Sequence, residues 1–600
     1  MKGLFSTLSS PAILAQQHSR THTTRRQANW AGIALGSLGL WMLPAALTTT
    51  PVLSADKIYL TYGLLERSIS VDSLEKYARE GTIDDDLAVY ARYAAPGQLE
   101  QVRKALLARI DLTPVAVSQF FYTPQGEILL ERIGQVIQTE SRQPGFYAIR
   151  AALTLAAAQP EGLTPLNVLR QFPTNSIRID LGRSLQIAGE LEKFVNQTGN
   201  ASQIINQEAL AEAASQPATV LSQLPDLRRR GALKWQKVTI ELNDSSRDRT
   251  FSTDVYLPQQ AVPHQVPVIV ISHGLGSDRT SFEYLAQQLA SYDFVVAALD
   301  HPGSNTEQLK ALLNGTTNDA IEPIELINRP LDVKFLLNEL ERRSQVDATF
   351  QGRLNLQQVG VVGQSFGGYT ALSLAGAEIN FPQLREDCGS LSNTLNLSLL
   401  LQCRALLLPN PPYELTDPRI KAAIAVNPVS SSIFGQPGMS RIQVPTMIVA
   451  SSADTVAPAL PEQIQPFTWL TTPEKYLALI QNGTHFSTIQ EAPGSAIPVP
   501  PQAIGPSPAL ARRYLNVLSV AFFKTYVANQ PQYRPYLSAS YAQAISQPPL
   551  GLSLVQSLTA TQLTQALNNS APRAIPISSP ELVPPPALQS SPTSFKESKE

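Results

Sequence analysis

Six short apolar runs constrain this chain more than any other feature: PVIVIS (267–272), FVVAAL (294–299), VGVVG (359–363), IKAAIAV (420–426), TMIVAS (446–451) and YLALI (476–480). Each has strand length and is almost continuously apolar, and helical periodicity fills the gaps between them. That alternation predicts a mostly parallel sheet buried on both faces by flanking helices, an α/β fold. Ahead of the runs, WQKVTIEL (235–242) and TFSTDVYL (250–257) alternate polar and apolar around Asn243-Asp244-Ser245-Ser246, which reads as an antiparallel hairpin with one face on the core.

At 600 residues the chain exceeds what a single core can hold, so several units are expected. The sheet-forming part is placed at 232–545, with an insertion at 377–418 where such folds grow caps. Residues 56–216 read as an all-helical domain: Leu99, Val102 and Leu106 fall on one stripe, Thr113-Pro114 and Thr164-Pro165 look like N-caps followed by proline, and Gly81 and Gly97 look like stops. Residues 217–231 form a linker whose Arg228, Arg229 and Arg230 suit either contact with anionic lipid or a solvated hinge. The Pro/Ser-rich end, 546–600, is expected to carry a short helix near 552–567 and then disorder, because its composition cannot offset chain entropy by burial.

Residues 1–55 carry an export signature. Lys2, Arg20, Arg25 and Arg26 precede a charge-free span that contains WAGIALGSLGLWMLPAAL (30–47), and VLSA (52–55) offers small residues for cleavage. The same apolar stretch approaches the ~20 residues needed to span a bilayer, so the segment is a signal peptide or a retained membrane anchor. The Arg25-Arg26 pair hints at a twin-arginine signal in a poorly fitting context. The expected location is periplasmic or cell-envelope. A net charge of −2 offers no field for a polyanion, so nucleic acid is excluded as a partner, and no protein partner is indicated.

The chemistry is expected at the ends of the apolar runs. Gly363-Gln364-Ser365-Phe366-Gly367-Gly368 lies between the VGVV strand and the amphipathic YTALSLAG, so a G-x-S-x-G elbow sits in the strand–turn–helix context that it requires. A serine hydroxyl is a weak nucleophile and needs a base held by an acid, in this fold in the chain order Ser, acid, His. Only His485 follows Ser365 among the histidines, and it sits just after YLALI. Of the carboxylates between them, Asp454 directly follows a strand-like run. Asp417 precedes its strand, and the 420–426 run ends on Asn427. The candidate triad is therefore Ser365, Asp454 and His485. The oxyanion donors are the backbone N–H groups of Phe366 and of Leu275 in the SHGLG loop (272–276). His273, Gly274, Gly363 and Gly367 support those loops, and Asp300-His301 is expected to shape a pocket floor or a turn. A triad needs no Lewis acid, and the two cysteines form no C-x-x-C, so no cofactor and no metal are expected.

With these residues in place, SHGLGSDRTSF (272–282), the VVAALDHPGS region and the GQSFGG elbow resemble the plasma-type platelet-activating factor acetylhydrolases, calcium-independent phospholipases of the α/β-hydrolase fold, over roughly 235–490. The resemblance implies a serine esterase acting on lipid or phospholipid acyl esters. Two departures count: Gln364 stands where that family usually has histidine, and Asn427 stands where it carries its acid. Asp454 instead looks similar to the dienelactone hydrolase arrangement. The whole order, from signal through a region beginning DKIYLTYGLLERSISVDSLEKYAREG to hydrolase, looks like predicted cyanobacterial hydrolases with an N-terminal domain of unknown function. A reading of another class is an envelope scaffold or binding protein in which the N-terminal domain is the functional part.

The insertion holds both cysteines, Cys388 and Cys403, around the leucine-dense stretch 393–412. They are either a disulfide, worth ~3 kcal/mol in the chain-entropy model, or two buried thiols. The leucines either line an acyl pocket or pack the insertion.

Overall fold

The computed structural model describes residues 54–216, 225–259, 264–389, 391, 394–409, 412–490, 499 and 501–568. The export segment, apart from residues 54 and 55, and the end of the chain beyond 568 lie outside the described residues.

The N-terminal region is rich in helix, and the capping pattern explains where those helices begin. Thr113 Oγ1 accepts from the Ala116 N–H at 3.1 Å and Thr164 Oγ1 from the Asn167 N–H at 3.1 Å, each ahead of a proline in the first turn. Gly81, at φ +77°, ends the helix Val71–Glu80 in a left-handed conformation that suits glycine. An all-helical domain, however, is not what forms. Strands β1 (Lys57–Tyr62), β2 (Leu65–Ser70), β3 (Ile137–Thr139) and β4 (Ser176–Asp180) make a four-stranded sheet in the order β2-β1-β4-β3. β1 pairs with β4 in parallel across more than a hundred residues, which no local periodicity announces. The helix Leu181–Ser215 then leaves this sheet, and its Ala201, Ile205 and Ala209 enter the main core.

The main sheet has nine strands: β5 (Trp235–Asp244), β6 (Arg249–Pro258), β7 (Val266–Ser272), β8 (Val295–Leu299), β9 (Leu354–Gln364), β10 (Ile420–Val426), β11 (Thr446–Ser451), β12 (Lys475–Ile480) and β13 (Leu552–Val555). Their spatial order is β13-β12-β11-β10-β9-β7-β8-β6-β5. β8 through β12 run parallel, and β5, β6 and β13 are antiparallel edges. β8, β10, β11 and β12 are buried along nearly their whole length, as their apolar runs require, whereas β5 alternates. Val268 and Val270 face the helices Glu325–Val346 and Phe366–Leu374, and Ile269 and Ile271 face Pro508–Tyr526, so one core lies on each side of the sheet. This is an α/β-hydrolase-like fold with an N-terminal extension.

The end of the chain also departs from expectation. Residues 552–555 form a strand paired with β12, followed by the helix Ala560–Asn568. The Glu212 carboxylate of the long helix accepts from the Gln556 and Ser557 N–H groups at 2.9 to 3.1 Å and fixes this edge. In the insertion, Cys388 and Cys403 are joined in a disulfide, with Cα atoms 5.7 Å apart. Leu401 and Ala405 pack into the main core. Of the linker arginines, Arg228 and Arg229 pair with Asp226 and Arg230 reaches Gln287, so all three side chains are engaged within the chain.

Candidate active site

The chain reverses its winding direction between β7 and β9, which are neighbours although β8 lies between them in sequence. Such a switch point opens a crevice at the carboxyl ends of the strands. The loop after β7 and the turn after β9 both end there, with Ser272 opposite Gly363 in register.

Ser365 occupies the turn at φ +57° and ψ −116°, a strained conformation for a residue with a side chain, held by its N–H to Val426 O at 2.9 Å. The glycines around it are required by close approach. A Cβ on Gly363 would lie 2.0 Å from Gly367 O, and one on Gly367 would lie 2.0 Å from Ser272 O. Phe366 is the first residue of the following helix, so its N–H is one of those left without an intrahelical acceptor.

His485 and Asp454 are brought together, with Nδ1 to Oδ2 at 2.7 Å. The same oxygen accepts from Asn427 Nδ2 at 2.8 Å and Gln463 Nε2 at 3.1 Å, and Oδ1 accepts from the Val456 and Ala457 N–H groups at 2.9 and 2.8 Å. Five donors on one buried carboxylate fix it in one orientation. The His485 loop is tied to the elbow through Gln364 Nε2, which donates to His485 O at 3.1 Å. Gln364 also faces Gly274, whose place a Cβ could not share, at 2.4 Å from Gln364 Oε1. Among the described residues no hydrogen bond joins Ser365 Oγ to His485. In ligand-free sites such contacts are often long and close on substrate binding. Asp417 lies at the opposite end of β10, buried against Arg419.

A second Ser–His–Asp chain lies beneath. Ser272 Oγ is 2.9 Å from His301 Nε2, and His301 Nδ1 is 3.0 Å from Asp332 Oδ2. Sequence reasoning placed His301 at a pocket floor or turn and did not single out Asp332, which lies 31 residues further on in a helix. All three side chains are shut off from solvent, and Asp332 is also bound by Arg249 Nε at 2.9 Å and Arg247 Nη1 at 2.9 Å. Burial pushes both His301 and His273 well below the ordinary imidazole range, with the Arg329 charge adding to it, so both are neutral. His273 Nε2 accepts the His301 N–H at 3.1 Å, so its proton is on Nδ1 and donates to Gly274 O at 2.7 Å. Asp300 binds the Arg279 N–H at 2.8 Å and takes its guanidinium, a loop-fixing role.

Two cavities flank Leu395 of the insertion. One of about 710 Å³ lies between Leu191, Phe194 and Val195 of the long helix and the Ser452–Thr455 loop that carries Asp454. The other, about 1020 Å³, reaches Trp469. Among the described residues no group of three or more His, Cys, Asp or Glu side chains could hold a metal ion, and no helix is long and apolar enough to cross a membrane.

A hydroxyl raised on a strained turn at a switch point, with an imidazole–carboxylate pair whose loop is tied to the same turn through Gln364, is an arrangement suited to acyl transfer. The class that fold and site define is the serine hydrolase, an ester-cleaving enzyme with an α/β-hydrolase-superfamily domain. Comparison with known proteins agrees. Residues 251–319 match the family described as platelet-activating factor acetylhydrolase, isoform II, and residues 54–180 match one described as an alpha/beta hydrolase of unknown function. Cutinase 2 of Thermobifida cellulosilytica is 23% identical over 291 residues, covering 47% of this chain and 76% of that protein. Cutinase cut1 of Thermobifida fusca is 23% identical over 291 residues, covering 47% of this chain but 62% of its own length. The domain thus resembles both kinds of esterase.

Proposed function

We propose that this protein hydrolyses acyl esters of lipid character through Ser365, His485 and Asp454, with the Phe366 and Leu275 N–H groups as oxyanion donors. The observation that carries the choice of serine is the backbone: Ser365 sits at φ +57° on a turn at the switch point, whereas Ser272 ends a strand in a closed interior. Ser365 Oγ attacks the ester carbonyl carbon as His485 Nε2 takes its proton, and the carbonyl electron pair moves onto oxygen. Collapse returns the pair, breaks the bond to the leaving alkoxide and sends the proton to it. Water then repeats the cycle on the acyl-enzyme.

Lipid character is supported by the apolar wall of Leu191, Phe194, Val195 and Leu395 beside the acid loop, and by the names of the matched families. The N-terminal region contributes part of that wall and also reaches the insertion through Arg132 to Thr394 O. The proposal includes export to the cell envelope, a surface able to meet lipid, and kinship with cyanobacterial hydrolases of the same order. Assays on p-nitrophenyl esters of increasing chain length and on short-chain phospholipids test it. Turnover that rises from acetyl toward longer chains and survives EDTA is expected. Hydrolysis of amides alone, or loss in EDTA with recovery in calcium, would contradict it.

A further inference from the structure

We propose that Arg329 is a positioning residue of the oxyanion hole, joining its two arms and placing a positive charge beneath it. The proposal rests on the assignment of Leu275 and Phe366 as donors. Arg329 is wholly buried on the helix Glu325–Val346. Its Nη2 donates to His273 O at 2.6 Å, two residues before Leu275, and its Cζ lies 4.4 Å from the centre of the Phe366 ring. One guanidinium therefore touches the chain that presents each donor.

The other two nitrogens of the Arg329 guanidinium are unused. Nη2 also lies 3.2 Å from His273 Nδ1, but among the described residues Nε and Nη1 have no hydrogen-bond partner and the guanidinium forms no ion pair. The adjacent carboxylates serve other cations: Glu325 binds Arg249 Nη1 at 2.6 Å, and Asp332 binds Arg249 Nη2 at 2.8 Å. A buried cation without a partner is costly, and a hydrophobic residue of similar volume usually serves stability better. The cost is offset if negative charge develops nearby during the reaction, because a preorganised cation then stabilises the intermediate more than the ground state. Burial lowers the guanidinium to about 9, so it is still charged near neutral pH.

The buried Ser272–His301–Asp332 chain fits this role. It joins the ends of β7 and β8 and fixes His273, whose carbonyl Arg329 grips. The ring stack continues from Phe366 to Tyr369, centroids 5.6 Å apart, and Tyr369 donates to Leu326 O at 2.8 Å on the arginine's own helix. The result is a closed loop of contacts around the two donors.

The test compares the parent with Arg329→Met and Arg329→Lys in the full chain, by thermal unfolding, by kcat and KM on p-nitrophenyl butyrate, and by affinity for an alkylboronic acid that forms a tetrahedral adduct. Arg329→Met should unfold at the same or a higher temperature, with KM nearly unchanged, while kcat and boronate affinity fall together by ~10- to 100-fold, less than or equal to the loss of a direct donor. Arg329→Lys should recover part of the loss. A kcat within about twofold of the parent, or a kcat loss that boronate affinity does not share, would overturn the proposal. If Arg329→Met does not fold, Phe366→Leu, which keeps the N–H and removes the ring, decides: reduced boronate affinity is expected and unchanged affinity refutes. Fluorophosphonate labelling that persists in Ser365→Ala would mark failure of the site assignment itself, independently of Arg329.

Discussion

Asn427 Nδ2 donates to Asp454 Oδ2 at 2.8 Å, so the tip of β10 and the loop after β11 meet on one carboxylate. The two positions at which an acid could serve His485 are thus in contact, one filled by an amide and the other by an acid. Asp454→Asn should lower kcat by ~10⁴-fold, because the imidazole loses the partner that fixes its tautomer. Asn427→Asp alone should place two carboxylates in contact, which cannot both ionise freely, and shift the activity profile. The double exchange, Asp454→Asn with Asn427→Asp, should recover part of the activity lost in the first variant. Steady-state kinetics across pH checks this, and near-normal turnover in Asp454→Asn would move the acid elsewhere.

Acid sensitivity should come from the buried imidazoles. His273 and His301 stay neutral in the fold, pushed well below the ordinary range by burial. In the unfolded chain both take up protons below about pH 6.5. The unfolded state therefore binds more protons as pH falls, and the stability present above that pH is lost on acidification, by up to ~1.4 kcal/mol per pH unit for each imidazole. Glu325 and Asp332 are raised by burial and act with the opposite sign in the carboxylate range, so the slope should flatten there. Urea midpoints between pH 7.5 and 5 should fall, and His301→Asn should reduce the slope. Midpoints independent of pH would contradict the assignment of neutral imidazoles.

The strands of the main sheet and the Asp454–His485 pair were legible because each rests on local pattern: a continuous apolar run, a loop directly after it, a histidine just past the last run. The N-terminal sheet was not. β1 and β2 are short and mostly half-exposed, and β1 finds its parallel partner β4 far along the chain. β13 was hidden for the same reason, since LSLV becomes a strand only by pairing with β12. The cluster of Glu325, Arg329 and Asp332 with Arg249 of β6 is not legible in sequence, because charged side chains on a long helix and at a strand end read as solvated until the fold closes over them.

Removing the disulfide should act on stability more than on selectivity. The bridge spans 15 residues, a loop worth ~3 kcal/mol in the chain-entropy model. The insertion is also held by buried Glu462, whose carboxylate accepts from Gln402 Nε2 at 2.8 Å and from the Ser430 and Ser431 N–H groups at 2.7 and 2.9 Å. A segment so anchored keeps its place without the bridge. Cys388→Ser with Cys403→Ser should lower the melting temperature and leave the acyl chain-length profile unchanged. A shifted profile would instead assign the insertion a gating role.

Of the two serines held near the switch point, Ser365 and not Ser272 is assigned as the nucleophile. Labelling with a fluorophosphonate, followed by mass spectrometric mapping of the modified peptide, tests it most directly. The adduct is expected on Ser365, with no labelling of Ser365→Ala with the fold intact and full labelling of a folded Ser272→Ala. An adduct on Ser272, or undiminished labelling of Ser365→Ala, would contradict it.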